Sequence, residues 1–318
     1  CPEAGLKMIE SDGTDTEVIE VRWRGLEQTD ANGNPYIFSV REVDSTGTLW
    51  TPPNYTKTEN GLNVTNTYVI PTTGKATGTK TWVNGAAKHP DLWLQLWRKT
   101  TTGSPLVDEA VPGAAIVKVN AAGDTSHEWT GLETTDINGN AYTFYIKEGQ
   151  WDGTDFTEGV PANYTRTGTG TLNLTNTYVI PTNGTFEATK VWKDGTEVVK
   201  PEVWFQLQRR VANGTWAAVP GADIKQVPTT APFTVTWNNL EETDSSGRSY
   251  DFGVREGVYN AGTQEFTPGS PSPFDMTTGE YTSEVTNTYV SPKRADIVVS
   301  KVFATTYPGG VAPVTEVI

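Results

Sequence analysis

The sequence repeats with a period of about 110 residues, and no other feature constrains the fold as strongly. The segment VTNTYVIP at 64–71 returns as LTNTYVIP at 174–181 and as VTNTYVSP at 285–292. A unit of this length is the size of one β-sandwich and can bury its own hydrophobic core. The chain is therefore predicted to be an array of similar modules.

Aligning the repeats divides the chain into four segments. They are a partial first module at 1–71 that lacks its first strand, a complete second module at 72–181, a complete third module at 182–291, and a stub at 292–318 with the first strand of a further module. The linkers IPTTGK and IPTNGT are short, rich in Pro and Gly, and free of low-complexity sequence. This predicts closely spaced modules in a semi-rigid row.

Within each module, short runs of alternating apolar and polar residues are separated by turn residues, which is typical of a sandwich or barrel. In DLWLQLWRK the leucines share one face, while Trp93 and Trp97 share the other. Trp204 occupies the same position in the third module. These outward tryptophans either cover a sheet face or a neighbouring module, or bind a ligand.

Composition excludes several classes of function. A formal net charge of −14 argues against nucleic acid and anionic membranes as partners, and no apolar run is long enough for membrane insertion in this segment. Cys1 is the only cysteine, so no disulfide forms within the chain, and its position inside an incomplete repeat favours a segment of a longer polypeptide over a lipidated N-terminus. No Cys-His cluster or phosphate-binding loop predicts a metal or a nucleotide cofactor.

Polar residues fall on the apolar faces of three strands in each module. The period-two alternation of strands places a lysine of the first strand, a glutamate of a central strand and an asparagine of the last strand inward. The residues are Lys80, Glu148 and Asn176 in the second module, Lys190, Glu256 and Asn287 in the third, Glu42 and Asn66 in the first, and Lys301 in the stub. Burying unpaired ions costs several kcal/mol, so this pattern requires a partner for each group.

Two interpretations of this pattern remain open. In one, a buried Lys-Glu ion pair hydrogen-bonded to Asn only sets the strand register. In the other, burial favours a neutral amine and a neutral acid. The amine attacks the Asn carboxamide, and the protonated Glu polarises the carboxamide oxygen and transfers protons as ammonia leaves. The product is a Lys-Asn isopeptide bond.

The segments ATKVWKDG, YDFGVREG and VTNTYV resemble the collagen-adhesin B-type (CnaB) domains of Gram-positive surface proteins and pilins. The resemblance implies an all-β fold of tandem immunoglobulin-like β-sandwich modules with the inverse, CnaB-type topology. It also implies one Lys-Asn bond beside one acid in each complete module: Lys80 with Asn176 and Glu148, and Lys190 with Asn287 and Glu256.

The ends of the chain depart from the pattern. The first module has Glu42 and Asn66 without a first-strand lysine, and the stub has Lys301 without either partner. Truncation of a longer array explains this. Alternatively, the stub of one chain completes the first module of the next and joins Lys301 to Asn66, so that neighbouring copies assemble end to end.

The predicted function is a structural stalk or shaft segment of a bacterial surface adhesin or pilus. It is extracellular and anchored to the cell wall through a part of the protein outside this chain. The alternative is an adhesive module that binds a host extracellular matrix protein or glycan through exposed tryptophan faces or module junctions. A hydrolase is disfavoured, because each module has one inward acid and no matching second acid. Isopeptide formation is a single intramolecular turnover, so the chain is not predicted to be an enzyme.

Overall fold

A computed structural model describes residues 4–10, 18–292 and 299–300, and every regular element in these ranges is a β-strand. The predicted all-β class is confirmed. None of the described segments forms a helix that is long and apolar enough to cross a membrane.

The described part of the first module holds one hairpin, in which β1 (Tyr55–Asn60) pairs antiparallel with β2 (Asn63–Tyr68). The predicted strand around Glu42 does not form, and Tyr36 and Phe38 on the same stretch are exposed. That prediction was wrong. Within the described residues β2 pairs only with β1, so no second sheet covers the stretch and its apolar residues have no core to enter.

The second module contains nine strands. They are β3 (Gly74–Val83), β4 (Trp93–Thr100), β5 (Asp108–Ala110), β6 (Val117–Lys118), β7 (Thr125–Leu132), β8 (Tyr142–Trp151), β9 (Phe156–Glu158), β10 (Tyr164–Thr167) and β11 (Asn173–Tyr178). One sheet has the order β10-β11-β3-β7, and the other has the order β5-β4-β8-β9 with β6 on β4. The first strand β3 and the last strand β11 are neighbours and run parallel.

The third module repeats this arrangement. Its strands are β12 (Gly184–Lys193), β13 (Trp204–Val211), β14 (Ala217–Ala218), β15 (Lys225–Gln226), β16 (Thr234–Leu240), β17 (Tyr250–Asn260), β18 (Glu265–Pro268), β19 (Phe274–Thr278) and β20 (Glu284–Tyr289). The sheets are β16-β12-β20-β19 and β14-β13-β17-β18, with β15 on β13. Again the first strand β12 and the last strand β20 pair in parallel.

Each complete module has its own apolar core between its two sheets, as expected for an immunoglobulin-like sandwich. Leu94 and Leu96 of β4 and Leu174 of β11 are completely or almost completely buried in the second module, and Phe205 and Val285 are in the third. The inward face predicted for β4 is therefore the core face. Trp93 and Trp97, on the other face, are half-buried.

The chain separates into two compact units. One contains the first two modules and the segment 241–249, and the other contains the rest of the third module. In the first unit, the backbone N–H of Glu242 donates to the carbonyl oxygen of Pro181 at 2.9 Å. The module boundaries derived from the repeat remain a prediction.

Candidate functional site

The parallel pair of first and last strands positions the lysine and the asparagine of each complete module. In the second module, Lys80 lies opposite Leu174 and Asn176 lies opposite Trp82. Because alternate residues of a strand share a face, Lys80 and Asn176 are diagonal neighbours on the inward face of the sheet. The third module has the same register, with Lys190 opposite Val285 and Asn287 opposite Trp192.

The facing sheet supplies the acid. Lys80 Nζ lies 3.1 Å from Glu148 Oε2, and both side chains are completely buried. In the third module, Lys190 Nζ lies 2.9 Å from Glu256 Oε2, again with both side chains completely buried. Each complete module therefore encloses an ion pair that links its two sheets.

The asparagine is bonded in one module and unpaired in the other. Asn287 Nδ2 donates to Glu256 Oε1 at 2.6 Å, so Glu256 contacts both Lys190 and Asn287. Asn176 is completely buried, and neither its amide nitrogen nor its oxygen has a hydrogen-bond partner within the described residues. An unsatisfied buried polar group costs about 1–3 kcal/mol, so the site of the second module favours any change that satisfies this amide.

Electrostatics weaken the proton affinity of both lysines. Burial lowers the pKa of Lys80 and of Lys190 below the ordinary lysine value, and the nearby Glu148 and Glu256 oppose this effect. Burial is the larger cause for both residues. A lysine in such a site gives up its proton more readily than one in water, and a neutral amine is a nucleophile.

An aromatic wall closes one side of the second-module site. Lys80 Nζ lies 4.5 Å from the centre of the Trp82 ring, and the His89 ring stacks on Trp82 at 4.4 Å with an interplanar angle of 5°. Tyr164 meets Trp82 edge to face, and its hydroxyl lies 3.0 Å from His89 Nδ1. These rings help to keep water away from the amine.

The third module builds a similar wall from different residues. Lys190 Nζ lies 4.7 Å from the centre of the Trp192 ring, and Phe274 meets Trp192 edge to face. The ammonium of Lys200 lies 4.7 Å from the Phe274 ring centre and donates to the carbonyl oxygen of Gly195.

The first module brings its two predicted site residues together without burying them. Asn66 Nδ2 donates to Glu42 Oε1 at 3.0 Å and to Glu42 Oε2 at 3.1 Å. Asn66 is exposed and Glu42 is half-buried, so the predicted inward position of this pair was wrong. The pair stays exposed because, among the described residues, β2 pairs with β1 alone and no second sheet faces this hairpin. The remaining predicted residue, Lys301, lies outside the described residues.

Sequence reasoning missed one charged residue beside the second-module site, Arg166 on β10. It lies opposite Asn176 in the β10–β11 pair and reaches toward Glu148. The corresponding residues are Lys57 in the first module, opposite Asn66, and Met276 in the third, opposite Asn287. The type of residue changes between modules, so the repeat carries no signal for this position.

Other candidate sites are weaker. Within residues 4–10, 18–292 and 299–300, no group of three or more His, Cys, Asp or Glu side chains is placed to hold a metal ion. The ammonium of Lys147 lies 3.5 Å from the Trp97 ring centre, and that of Lys118 lies 5.2 Å from the Trp93 ring centre. Lysine side chains therefore lie against two of the three outward tryptophans.

Comparison with known proteins gives a family match over most of the chain. The family model of the Cna protein B-type domain matches residues 5–67, 76–177 and 186–288. The collagen adhesin of Staphylococcus aureus is 41% identical over 80 residues, which are 25% of this chain. The chain spans only 6% of the length of that curated relative.

Solved pilin structures are among the matches, at low sequence identity and low TM-score. The major pilin of Streptococcus pyogenes is 12% identical, with a TM-score of 0.27 and coverage of 68% of this chain and 97% of that one. The minor pilin GBS52 of Streptococcus agalactiae is 12% identical, with a TM-score of 0.25 and coverage of 70% and 99%. The shaft pilin spaA of Lactobacillus rhamnosus GG is 10% identical, with a TM-score of 0.21 and coverage of 70% and 100%.

We predict that His89 titrates below 6.5, its ordinary pKa. Burial lowers the pKa of His89, and the positive charge of Lys80 lowers it further. Since the folded-state pKa is the lower one, the stability that neutral His89 contributes is present above about pH 6.5 and is lost as the pH falls through the folded-state value. Proton NMR titration of the His89 ring in the folded chain measures this.

If Lys80 is uncharged, the pKa of His89 still lies below its ordinary value, because burial is the larger cause of the shift. A measured folded-state pKa of 6.5 or higher would contradict the partly buried, stacked position of the ring. The variant His89→Gln removes the titrating group, so the acid-side loss of stability should shrink in that chain.

Proposed function

The chain belongs to the family of Cna protein B-type domains, and on this basis we propose that it is a structural segment of a bacterial surface adhesin or pilus shaft. In each complete module, a Lys-Asn isopeptide bond ties the first strand to the last. The single observation that carries the proposal is the completely buried Lys-Glu-Asn cluster, in which Glu256 contacts both Lys190 and Asn287.

The proposed reaction needs only groups of the chain. The neutral Nζ of Lys190 attacks Cγ of Asn287, and the protonated carboxyl of Glu256 donates to the carboxamide oxygen after the amide turns over. Glu256 then accepts a proton from the attacking nitrogen and delivers one to the leaving nitrogen. One C–N bond forms, one C–N bond breaks, and ammonia leaves without any oxidant or cofactor. Because the site is consumed, the module is not an enzyme.

The second module supports the covalent interpretation over a plain polar network. A network that only sets register should satisfy its own buried groups. Asn176 instead has no hydrogen-bond partner within the described residues, although it is as buried as Lys80 and Glu148. Bond formation removes the amine and the carboxamide as separate buried groups and leaves one neutral amide.

A bond from residue 80 to residue 176 would close almost the whole second module into one loop. By analogy with a disulfide that closes a loop of about 100 residues, restriction of the unfolded chain contributes roughly 4–5 kcal/mol. Tension that enters at the first strand would pass to the last strand through a covalent bond. Such a module suits an extracellular shaft, since the chain's single cysteine leaves it without an internal disulfide.

We predict that the intact mass of the purified chain is lower than its sequence mass by about 17 Da, one ammonia molecule, for each of two bonds. Glu148→Ala and Glu256→Ala should each restore one ammonia mass, because the assigned proton-transfer group is lost. High-resolution mass spectrometry of the unreduced chain measures this.

Two further variants control the mass experiment. Glu148→Gln keeps the size of the side chain and should also block the bond. It provides the test if Glu148→Ala does not fold. Glu109 pairs with Arg98 away from the site, so Glu109→Ala should keep both losses. A wild-type mass equal to the sequence mass would refute the covalent interpretation.

A second proposal concerns neighbouring copies of the chain. The exposed Asn66 donates to Glu42, and β2 has one edge that no described strand pairs with, whereas β11 and β20 each pair there with a first strand. Lys57 does not take the place of a first-strand lysine, since its ammonium is held by Glu59 and by the carbonyl oxygen of Trp50. A first strand from another copy, bearing Lys301, would complete this site.

End-to-end assembly through this site predicts covalent multimers on a denaturing gel of the concentrated chain. Asn66→Ala and Lys301→Ala should each remove them, because each removes one of the two bonded side chains. Asn176→Ala leaves the proposed joint intact and should keep them. Multimers that persist in Asn66→Ala, or their absence from the wild-type chain, would end this proposal.

The alternative function is adhesion to collagen, which is suggested by the collagen adhesin that matches one quarter of the chain. Trp204 is the outward tryptophan for this role, since lysines lie against Trp93 and Trp97. Binding of the chain to immobilised collagen, lost in Trp204→Ala and kept in Trp93→Ala, would support adhesion. Equal binding by the wild-type chain and both variants would remove Trp204 as the contact.

A further inference from the structure

The second-module site has a second cation close to its acid, whereas the additional cation of the third-module site, Lys200, lies against the Trp192 and Phe274 rings. Arg166 Nη1 lies 4.0 Å from Glu148 Oε1, and its side chain is 16% exposed. Its other terminal nitrogen lies 3.0 Å from Glu158 Oε1 on β9. Arg166 thus lies at the edge of the core and places a permanent positive charge beside the Lys80–Glu148 pair.

At the positions equivalent to Arg166 and Glu158, the third module has uncharged residues. Met276 lies opposite Asn287, where Arg166 lies opposite Asn176. Pro268 pairs with Gly257, where Glu158 pairs with Gly149. Lys190 is the cation that contacts Glu256 in the third-module site.

Several charged and titratable groups surround Lys80 and Glu148 among the described residues. Glu148 contacts Lys80, the charges of Arg166 and Asp124 also act on Lys80, and His89 stacks on Trp82 beside Tyr164. Beyond Arg166, Glu158 also pairs with Lys147 at 3.3 Å. After Lys80 itself, Arg166 is the cation that lies within 4.0 Å of Glu148, so it is the candidate for the difference between the modules.

We propose that Arg166 is a positioning residue that sets the pH range in which the second-module isopeptide bond forms, and that it places this range below that of the third module. The inference rests on the proposed function, because it concerns the rate of the same bond. The two modules would then form their bonds by the same mechanism but in different pH ranges.

The physical reason is the effect of a fixed cation on a shared proton. The reactive form of the site holds one proton between Lys80 and Glu148, with the amine neutral and the acid protonated. Bond formation is therefore slow when the pair holds two protons and slow when it holds none. A cation beside the pair disfavours both proton-binding steps, so the whole window moves to lower pH.

The size of the shift follows from the surroundings of Arg166. A nearby cation disfavours proton binding at the pair, and the effect falls when the cation is itself paired or hydrated. Glu158 neutralises part of the Arg166 charge, and solvent reaches part of the side chain, so the expected shift is about one pH unit. Burial remains the largest cause of the lowered pKa of Lys80, and Arg166 adds to it.

The experiment follows bond formation in both modules of the same chain. Chain purified in denaturant in unreacted form is diluted into native buffers across a series of pH values, and tryptophan fluorescence reports folding. Samples quenched with time are digested, and the loss of ammonia is assigned by mass spectrometry to the peptides of each module. The third module serves as an internal reference in every sample.

We expect the second-module optimum in the wild-type chain to lie about one pH unit below that of the third module. Arg166→Met should raise the second-module optimum by about the same amount and leave the third-module optimum unchanged. Met276→Arg should lower the third-module optimum. Arg166→Lys keeps a cation and should keep the low optimum, which provides a test if Arg166→Met does not fold.

Two results would overturn the inference. One is an Arg166→Met rate that changes by the same factor at every pH, which is the signature of a packing role. The other is equal optima for the two wild-type modules. Loss of ammonia from neither module at any pH would refute the proposed function itself, and this outcome is distinct because it appears in the wild-type chain without any comparison of optima.

Discussion

The structure depends on a lysine and a glutamate that are buried together between two β-sheets. Removing two ions from water costs several kcal/mol for each, and only close pairing offsets this cost. The Lys80–Glu148 and Lys190–Glu256 pairs meet the requirement at 3.1 and 2.9 Å in completely buried positions. The parallel pairing of the first and last strands places each lysine diagonally next to an asparagine, and the Trp82 and Trp192 rings lie against the two amines.

A buried ion pair is by itself weak evidence for stability, because apolar residues of similar volume often serve as well. The proposed conversion of the amine and the carboxamide into an amide would change this balance, because the chain would then hold one neutral group and a closed loop. Under the proposed function, the same groups account both for the cost of the arrangement and for its benefit to a chain under tension. The two modules reach this arrangement with different surroundings, since Arg166 in one corresponds to Met276 in the other.

Sequence periodicity predicted the all-β fold and the inward position of the six site residues in the complete modules, because strand parity alone decides which face a residue occupies. Parity failed at Glu42, because a strand forms only where neighbours pair with it and a core covers it. Arg166 was not predictable, since it lies on a short strand whose register with β11 is set by the fold, and the repeat has a different residue there. The packing of segment 241–249 with the first compact unit also leaves no periodic signal.

The most direct test of the central claim is an experimental electron-density map of the second module at atomic resolution. We predict continuous density between Lys80 Nζ and Asn176 Cγ at the length of an amide bond, about 1.33 Å, with no density for the departed amide nitrogen. Separate side chains in van der Waals contact, with the full carboxamide of Asn176 present, would contradict the covalent interpretation and leave a buried polar network in its place.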